Sequence, residues 1–366
     1  MNLDFSDDQK LLRQTAREYL TEHAPLSVCR AVLESDASYS DTLWRGIAGL
    51  GWLGTGIPEA YGGAGFGRLE VAVLAEEVGR ALAPIPFSSS MYLATEALIQ
   101  FGSEAQKKKY LPKLATGELI GTFAHAERPG VQLPQSLQTA FAKDSLRGTK
   151  TPVADGDVAH FAILTVKHDG GVSLALADLS GQGVQRTPIE SIDPSRSLAT
   201  VRFDGARAEL LGDKKLGWEA AQQILDRAAV LMAFEQLGGA ERAFELTREF
   251  CLGRYAFGRP IASFQALKHR MADMYVELQL TRSNAYYGAW ALSNDSAELT
   301  AAACGARASA NDTFELVSRE MVQMHGGVGF TWEYDCHLFY RRAKWMSAIL
   351  GGANQWRERL IQKLTA

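Results

Sequence analysis

Residues 254 to 274 read RYAFGRPIASFQALKHRMADM, and two signals overlap there. From Phe264 to Leu292 apolar residues recur at helical spacing: Phe264, Leu267, Met271, Met274, Tyr275 and Leu278. That spacing predicts a buried amphipathic helix. The segment just before it, Arg254 to Ile261, is not explained by helix packing. It sets an Arg, an aromatic, a Gly and a Pro at the junction of two helices. Gly258 can end the first helix, and Pro260 discourages its continuation. A guanidinium fixed at such a junction suits a bidentate anion such as a pyrophosphate. The plainer reading is a capped turn with solvated Arg side chains.

About 70 residues later, 323 to 345 read QMHGGVGFTWEYDCHLFYRRAKW. Gln323 stands at the end of a helix, Gly326-Gly327-Val328-Gly329 breaks it, and a basic run Arg341-Arg342-Ala343-Lys344 follows an aromatic stretch. Together the two segments resemble the C-terminal signatures of the acyl-CoA dehydrogenase family. The resemblance extends over nearly the whole chain. DFSDDQKLLRQTAREYLTEH near the start is similar to the family's first helix, GIAGLGWLGTGIPEAYGGAGFG (46–67) to its helix-to-loop signature, and FGSEAQKKKYLPKLATGE (101–118) to the end of its N-terminal helical domain. Such pieces in order and spacing are far more specific than any one.

Composition sets outer bounds. The 366 residues are 46% hydrophobic and 22% charged, enough for a large core and two or three domains. A net charge of -4 gives no basic footprint for nucleic acid. Cys29, Cys251, Cys304 and Cys336 follow no metal or disulfide spacing, so a cytoplasmic protein with reduced thiols and no metal is expected. The start MNLDFSDDQK lacks a signal-peptide core, and apolar runs such as Ala228 to Phe234 fall far below the ~18 residues a membrane span needs.

Three blocks follow along the chain. Residues 1–118 read as helices, with Glu76 and Glu77 on the polar side of the run Leu69 to Leu82. Residues 119–213 carry alternating β-branched runs separated by turns such as Asp155-Gly156 and Asp169-Gly170-Gly171, which predicts a small antiparallel barrel or sandwich. Residues 214–366 return to four or five helices, a bundle. The α+β order of helical domain, β domain and four-helix bundle is that of the family's fold.

The resemblance implies a flavoenzyme that desaturates an acyl-CoA thioester, with FAD between the β domain and the C-terminal bundle. A carboxylate base takes the α-proton. By the same resemblance Arg254 matches the Arg that holds the FAD pyrophosphate of a neighbouring subunit, Phe257 the aromatic beside it, and Gln265 the glutamine near the adenylate. Gln323, Gly326 and Gly327 match the segment along the neighbour's FAD, where small residues let a cofactor approach the main chain. Alone, Gln323 would be a polar helix-end residue and the glycines a plain turn.

The departures from the family pattern concern the base and the flavin ring. The family's usual Glu follows the basic motif by about nine residues; here Leu350 stands there, in Leu350-Gly351-Gly352. Members that carry the Glu on an earlier helix would have it at Ala228. Asp226 lies about 200° round the helix from that point, and Glu235 is about 10 Å further along. Glu235 is a fallback base, although most helix carboxylates are surface groups. Glu127 is another. A Trp-Ile-(Thr/Ser) flavin segment is replaced by Pro152-Val153-Ala154, and a Thr-Glu-Pro run by Ala126-Glu127-Arg128-Pro129 without the following Gly-Ser-Asp.

The expectation is therefore a subunit that has no catalytic residue of its own. It would complete the FAD site of a Glu-bearing partner in an α2β2 tetramer, in sterol or other bulky acyl-CoA degradation. The alternatives are a self-sufficient homotetramer with a displaced base, and a non-catalytic paralogue that binds acyl-CoA or a partner.

Overall fold

Ser6 opens the first helix, α1 (Asp7–His23), by a reciprocal cap: its Oγ accepts from the Gln9 N–H at 3.2 Å and its own N–H donates to Gln9 Oε1 at 3.0 Å. Next come α2 (Leu26–Leu33), α3 (Asp41–Gly49), α4 (Arg68–Arg80), a buried π-helical stretch Ser88–Thr95, and α5 (Glu96–Phe101). The same cap, from Ser103 and Gln106, opens α6 (Glu104–Ala115). This computed structural model describes residues 6–212 and 216–365, so the expected boundary at 213/214 lies outside the described residues.

Seven strands follow: β1 (Gly121–Ala124), β2 (Ala140–Ala142), β3 (Ser145–Ala154), β4 (Phe161–His168), β5 (Gly171–Asp178), β6 (Val184–Pro188) and β7 (Leu198–Leu210). β2 pairs β3, β3 pairs β7, β7 pairs β5, β5 pairs β4, and β4 returns to β2. The ladder closes on itself, so the β region is a barrel and has no free edge along that ring. The sheet is not purely antiparallel, as the alternation alone predicts, because β4 runs parallel to both β1 and β2. Asp169 and Gly170 make the two-residue link between β4 and β5 with φ of 47° and 72°, as a primed hairpin turn requires. Pro152 has no N–H to give the ladder, and the β3–β7 register slips between Lys150 and Val153.

The rest of the chain is α7 (Trp218–Gly253), a two-residue-strand hairpin of β8 (Tyr255–Ala256) and β9 (Arg259–Pro260), α8 (Gln265–Ser293), α9 (Leu299–His325), α10 (Cys336–Ala348) and α11 (Ala353–Thr365). Contacts group the chain into two compact units. One comprises Met1–Ala31, Leu69–Ala83 and Ala229–Ala366; the other comprises Val32–Arg68 and Pro84–Ala228.

In the first unit α4 and α7 touch backbone to backbone. A Cβ on Gly238 would fall 1.8 Å from the Glu76 carbonyl oxygen, and one on Gly79 equally close to that of Glu235. Gly238→Ala would gain about 1 kcal/mol of helix propensity. Driving the helices apart is expected to outweigh this, for a net loss of about 1–3 kcal/mol in urea unfolding. Glu76 and Glu77 are not on an outer polar face: each is 1% exposed. Glu76 receives Arg13 at 3.2 Å and Arg282 at 3.0 Å, and Glu77 receives Arg17 at 2.7 Å. Burial raises the Glu77 pKa and the Arg17 guanidinium pulls it back.

Candidate functional site at one end of the helical bundle

Arg254 lies just past α7. Its N–H donates to the Phe250 carbonyl at 2.8 Å, and its own carbonyl accepts the Ile261 N–H at 2.8 Å. The helix ends at Gly253, not at Gly258 as the sequence suggests. Gly258 instead makes the hairpin turn with Phe257, at φ of 77° and 55°. A phenylalanine in the left-handed region is costly, and Phe257 is also 94% exposed. Neither feature serves the chain's own core. The Arg259 guanidinium sits 4.2 Å over the ring of Phe264, the residue that precedes α8 and caps it with no side-chain hydrogen bond. The positive end of α8, where Gln265 stands, is thus available to an anion.

Aromatic stacking joins this segment to the second one. The Phe250 ring lies on His325 at 4.1 Å and 23°, and Tyr334 packs edge-on against both. The ends of α7 and α9 are thereby fixed together, which brings Gln323, Gly326 and Gly327 to the same end as Arg254. Gly326 has φ 63° and needs to be glycine for its own backbone. Gly327 does not have a positive φ, and a Cβ there would meet nothing within 4 Å. Nothing among the described residues demands a glycine at 327. Arg254, Phe257, Gln265, Gln323, Gly326 and Gly327 are all exposed, and Arg254 makes no ion pair among the described residues. Sequence reading missed Phe250, His325 and Tyr334. No local signal pairs an aromatic with a histidine 75 positions away.

The positions expected for a base carry none. Leu350 follows α10 at φ 66°, its carbonyl held by Trp356 Nε1 at 3.1 Å. Ala228 is fully buried inside α7. Glu235 is not the surface group expected of a helix carboxylate: it is 0% exposed, and its charge acts on the equally buried Arg307 of α9. Arg307 also donates to Gln236 Oε1 and to the Met346 carbonyl near the end of α10. Gln236 in turn donates to Asn311 at 2.8 Å.

Glu127, in the other unit, is pinned. Its carboxylate accepts Lys150 Nζ at 2.9 Å and the N–H groups of Gln138 and Thr139 at 2.6 and 2.8 Å. These contacts outweigh its desolvation and lower its pKa, the wrong direction for a general base. Nearby, Val153 and Ala154 are buried, and the Thr122 hydroxyl is spent on the Ala154 carbonyl at 2.7 Å.

Lys150 is 0% exposed, and burial pushes its ammonium pKa down to about 8, with Glu127 opposing. The unfolded lysine titrates near ~10.4, so the unfolded state binds more protons between about pH 8 and 10.4. This group therefore makes the fold more stable as pH rises through that window. Lys150→Met is expected to remove a rise of about 1–3 kcal/mol, read as the difference in urea unfolding between wild type and variant at pH 7.5, 9 and 10.5.

Among the described residues no group of three or more His, Cys, Asp or Glu could hold a metal ion. All four cysteines are buried free thiols. No helix among the described residues is long and apolar enough to cross a membrane.

The chain is similar to known proteins along nearly its whole length. The family model described as acyl-CoA dehydrogenase, N-terminal domain, matches residues 6–118, and that for acyl-CoA dehydrogenase, C-terminal domain, matches 215–365. The acyl-CoA dehydrogenase IpdE2 of Mycolicibacterium smegmatis is 35% identical over 97% of this chain and 98% of its own length. Among solved structures, a variant of the Tcur3481–Tcur3483 steroid ACAD matches with a TM-score of 0.89, 30% identity and 98% coverage of both chains. The ChsE4–ChsE5 complex from Mycobacterium tuberculosis matches with a TM-score of 0.90 and 27% identity, over 100% of this chain and 99% of that one.

Proposed function

The chain belongs to the acyl-CoA dehydrogenase family, whose members are FAD-dependent oxidoreductases acting on acyl-CoA thioesters, and from that premise we propose that it works as the non-catalytic subunit of a two-component enzyme. In this reading a Glu-bearing partner holds the flavin ring and removes the α-proton. This chain completes the partner's cofactor site.

FAD, when bound, takes up the electrons removed from the acyl chain. The residues present fit one end of that cofactor. Arg254 would hold the pyrophosphate as a bidentate clamp, with Phe257 beside it and Gln265 toward the adenylate. Gln323, Gly326 and Gly327 would lie along it. The observation that carries the reading is this corner: a charge with no ion pair among the described residues, an outward phenylalanine in a costly conformation, and a glycine at 327 that the packing of the described residues does not need. The chain's own flavin segment offers little, since Pro152 has no N–H and the Thr122 hydroxyl is already used.

Two of the matched structures support the two-component form, being named for pairs of proteins, and one of them is called a steroid ACAD. An α2β2 assembly acting on a sterol-derived or other bulky acyl-CoA follows by analogy. The self-sufficient alternative needs a base. Glu235 is enclosed beside Arg307, and Glu127 is pinned by Lys150, so neither favours it.

The test is the visible spectrum of the chain purified alone, then co-expressed with a Glu-bearing acyl-CoA dehydrogenase. No flavin bands alone and about one FAD per unlike pair together is the expected result for two chains sharing one site. A lone chain that is fully yellow and reduces a dye with acyl-CoA would overturn it. Leu350→Glu in the lone chain is expected to restore no dye reduction, because a base without a flavin has no electron acceptor.

A further inference from the structure

In the second unit, residues 127–139 run from β1 to β2 and join no strand of the barrel. Their hydrogen bonds turn inward. The Gln132 side chain accepts the Glu127 N–H at 3.1 Å and donates to the Arg128 and Gly130 carbonyls at 2.7 and 2.8 Å. Ser136 donates to the Leu133 carbonyl through its hydroxyl at 2.9 Å and its N–H at 3.1 Å, and Gln138 Nε2 donates to the Ser136 carbonyl at 3.1 Å. Among the described residues no hydrogen bond ties 128–137 to a strand. Leu137 is buried, and the rest of 128–138 is exposed or half-buried.

The two ends of the segment meet on one carboxylate. Glu127 Oε2 accepts the Gln138 N–H at 2.6 Å, and Oε1 accepts the Thr139 N–H at 2.8 Å and Lys150 Nζ at 2.9 Å. Lys150 is itself held inside the barrel by Thr165 Oγ1 at 3.1 Å. Pro134 and Gln135, at the far side of the segment, form one wall of a cavity of about 620 Å³. The facing wall is Phe141 and the β4–β5 turn from Lys167 to Val172. That wall is braced by the β4–β5 ladder and by His168, whose Nδ1 donates to the Phe141 carbonyl at 3.2 Å while the two rings meet edge-on at 5.3 Å. One wall is therefore part of the sheet. The other hangs on a carboxylate and a leucine, the kind of attachment that opens locally without unfolding the domain.

We propose that residues 128–138 form a strap that swings as one body, latched by the Glu127 carboxylate, and so opens and closes the cavity in front of His168. Gln132 keeps the strap in shape, and Lys150 anchors the latch to the barrel. The device does not depend on the two-component reading.

The experiment compares the full chain with Glu127→Gln and Gln132→Ala at neutral pH. Amide hydrogen exchange and diethyl pyrocarbonate labelling of histidines are both mapped by mass spectrometry. Glutamine keeps the shape of Glu127 but offers an NH2 where the neck needs an acceptor. Glu127→Gln is expected to speed exchange at Gln138 and Thr139 at least ~10-fold. His168 labelling should rise severalfold, with β4, β5 and the exposed His23 unchanged. Gln132→Ala is expected to speed exchange within 128–133 and leave the neck amides protected. Wild-type exchange at the neck in Glu127→Gln would show that the carboxylate is no latch. A faster neck with His168 labelling unchanged would show a strap that does not gate the cavity. Equal acceleration in β4 and β5 would show a segment that opens only with the barrel. A neck loosened as much by Gln132→Ala as by Glu127→Gln would show that no single carboxylate holds it. Each of these four results overturns the proposal.

Discussion

Arg307→Ala is expected to destabilise the protein by about 3–5 kcal/mol, the usual consequence of removing one side of a buried charge pair. Arg307 is 0% exposed. It holds three helices at once: α9 by its backbone, α7 through Gln236, and α10 through the Met346 carbonyl. Alanine would leave that carbonyl and Gln236 Oε1 without their donor, and would leave the buried Glu235 without the cation on which it acts. For a chain of this size the melting midpoint should fall by about 10 °C. Glu235→Gln separates two roles for that carboxylate. As a counter-charge it should cost stability, and the double variant with Arg307→Ala should cost less than the sum of the singles. A displaced catalytic base would instead lose activity at unchanged stability. An unaltered midpoint in Arg307→Ala would refute the structural role.

The second large effect is expected from Arg254→Ala, and it should appear in the assembled pair rather than in the lone chain. Arg254 is exposed and makes no ion pair among the described residues, so the melting temperature of the isolated variant should match wild type. Charge-assisted hydrogen bonds to an anion are worth about 1.5–3 kcal/mol. FAD affinity of the heteromer should therefore drop about 10- to 150-fold. Arg254→Lys should recover only part of this, because an ammonium cannot reproduce the bidentate fork. FAD titration of the reconstituted pair measures both. Undiminished affinity in Arg254→Ala would mean that this corner faces something other than a pyrophosphate.

Much of the fold was legible because periodicity and punctuation are local. The helix over 265–293 follows from apolar residues three and four apart, and the turn at Asp169-Gly170 from its composition. The candidate residues of the Arg254 corner stand out in the sequence only as a joint motif. Their conformation was not. Phe257 in the left-handed region contradicts its own propensity, so no residue-level rule places the turn there. Glu76, Glu77 and Glu235 read as surface carboxylates, since isolated charges avoid interiors. All three are buried because arginines from other helices meet them or stand close by, and charge pairing across more than 50 positions leaves no trace in a helical pattern.

The sequence by itself determined the order of elements, the family, and the absence of a carboxylate at 350 and 228, because these depend on residue type and spacing along the chain. Only the tertiary structure decided that the β strands close into a barrel, that Glu127 is consumed by Lys150, and that Phe250 and His325 draw two distant segments to one corner. It also decided that Tyr275, predicted for the core, stands on an outer face of α8. The physical reason is the same in each case. Burial and charge compensation are properties of what surrounds a side chain in space, and a linear spacing rule sees only its neighbours along the chain.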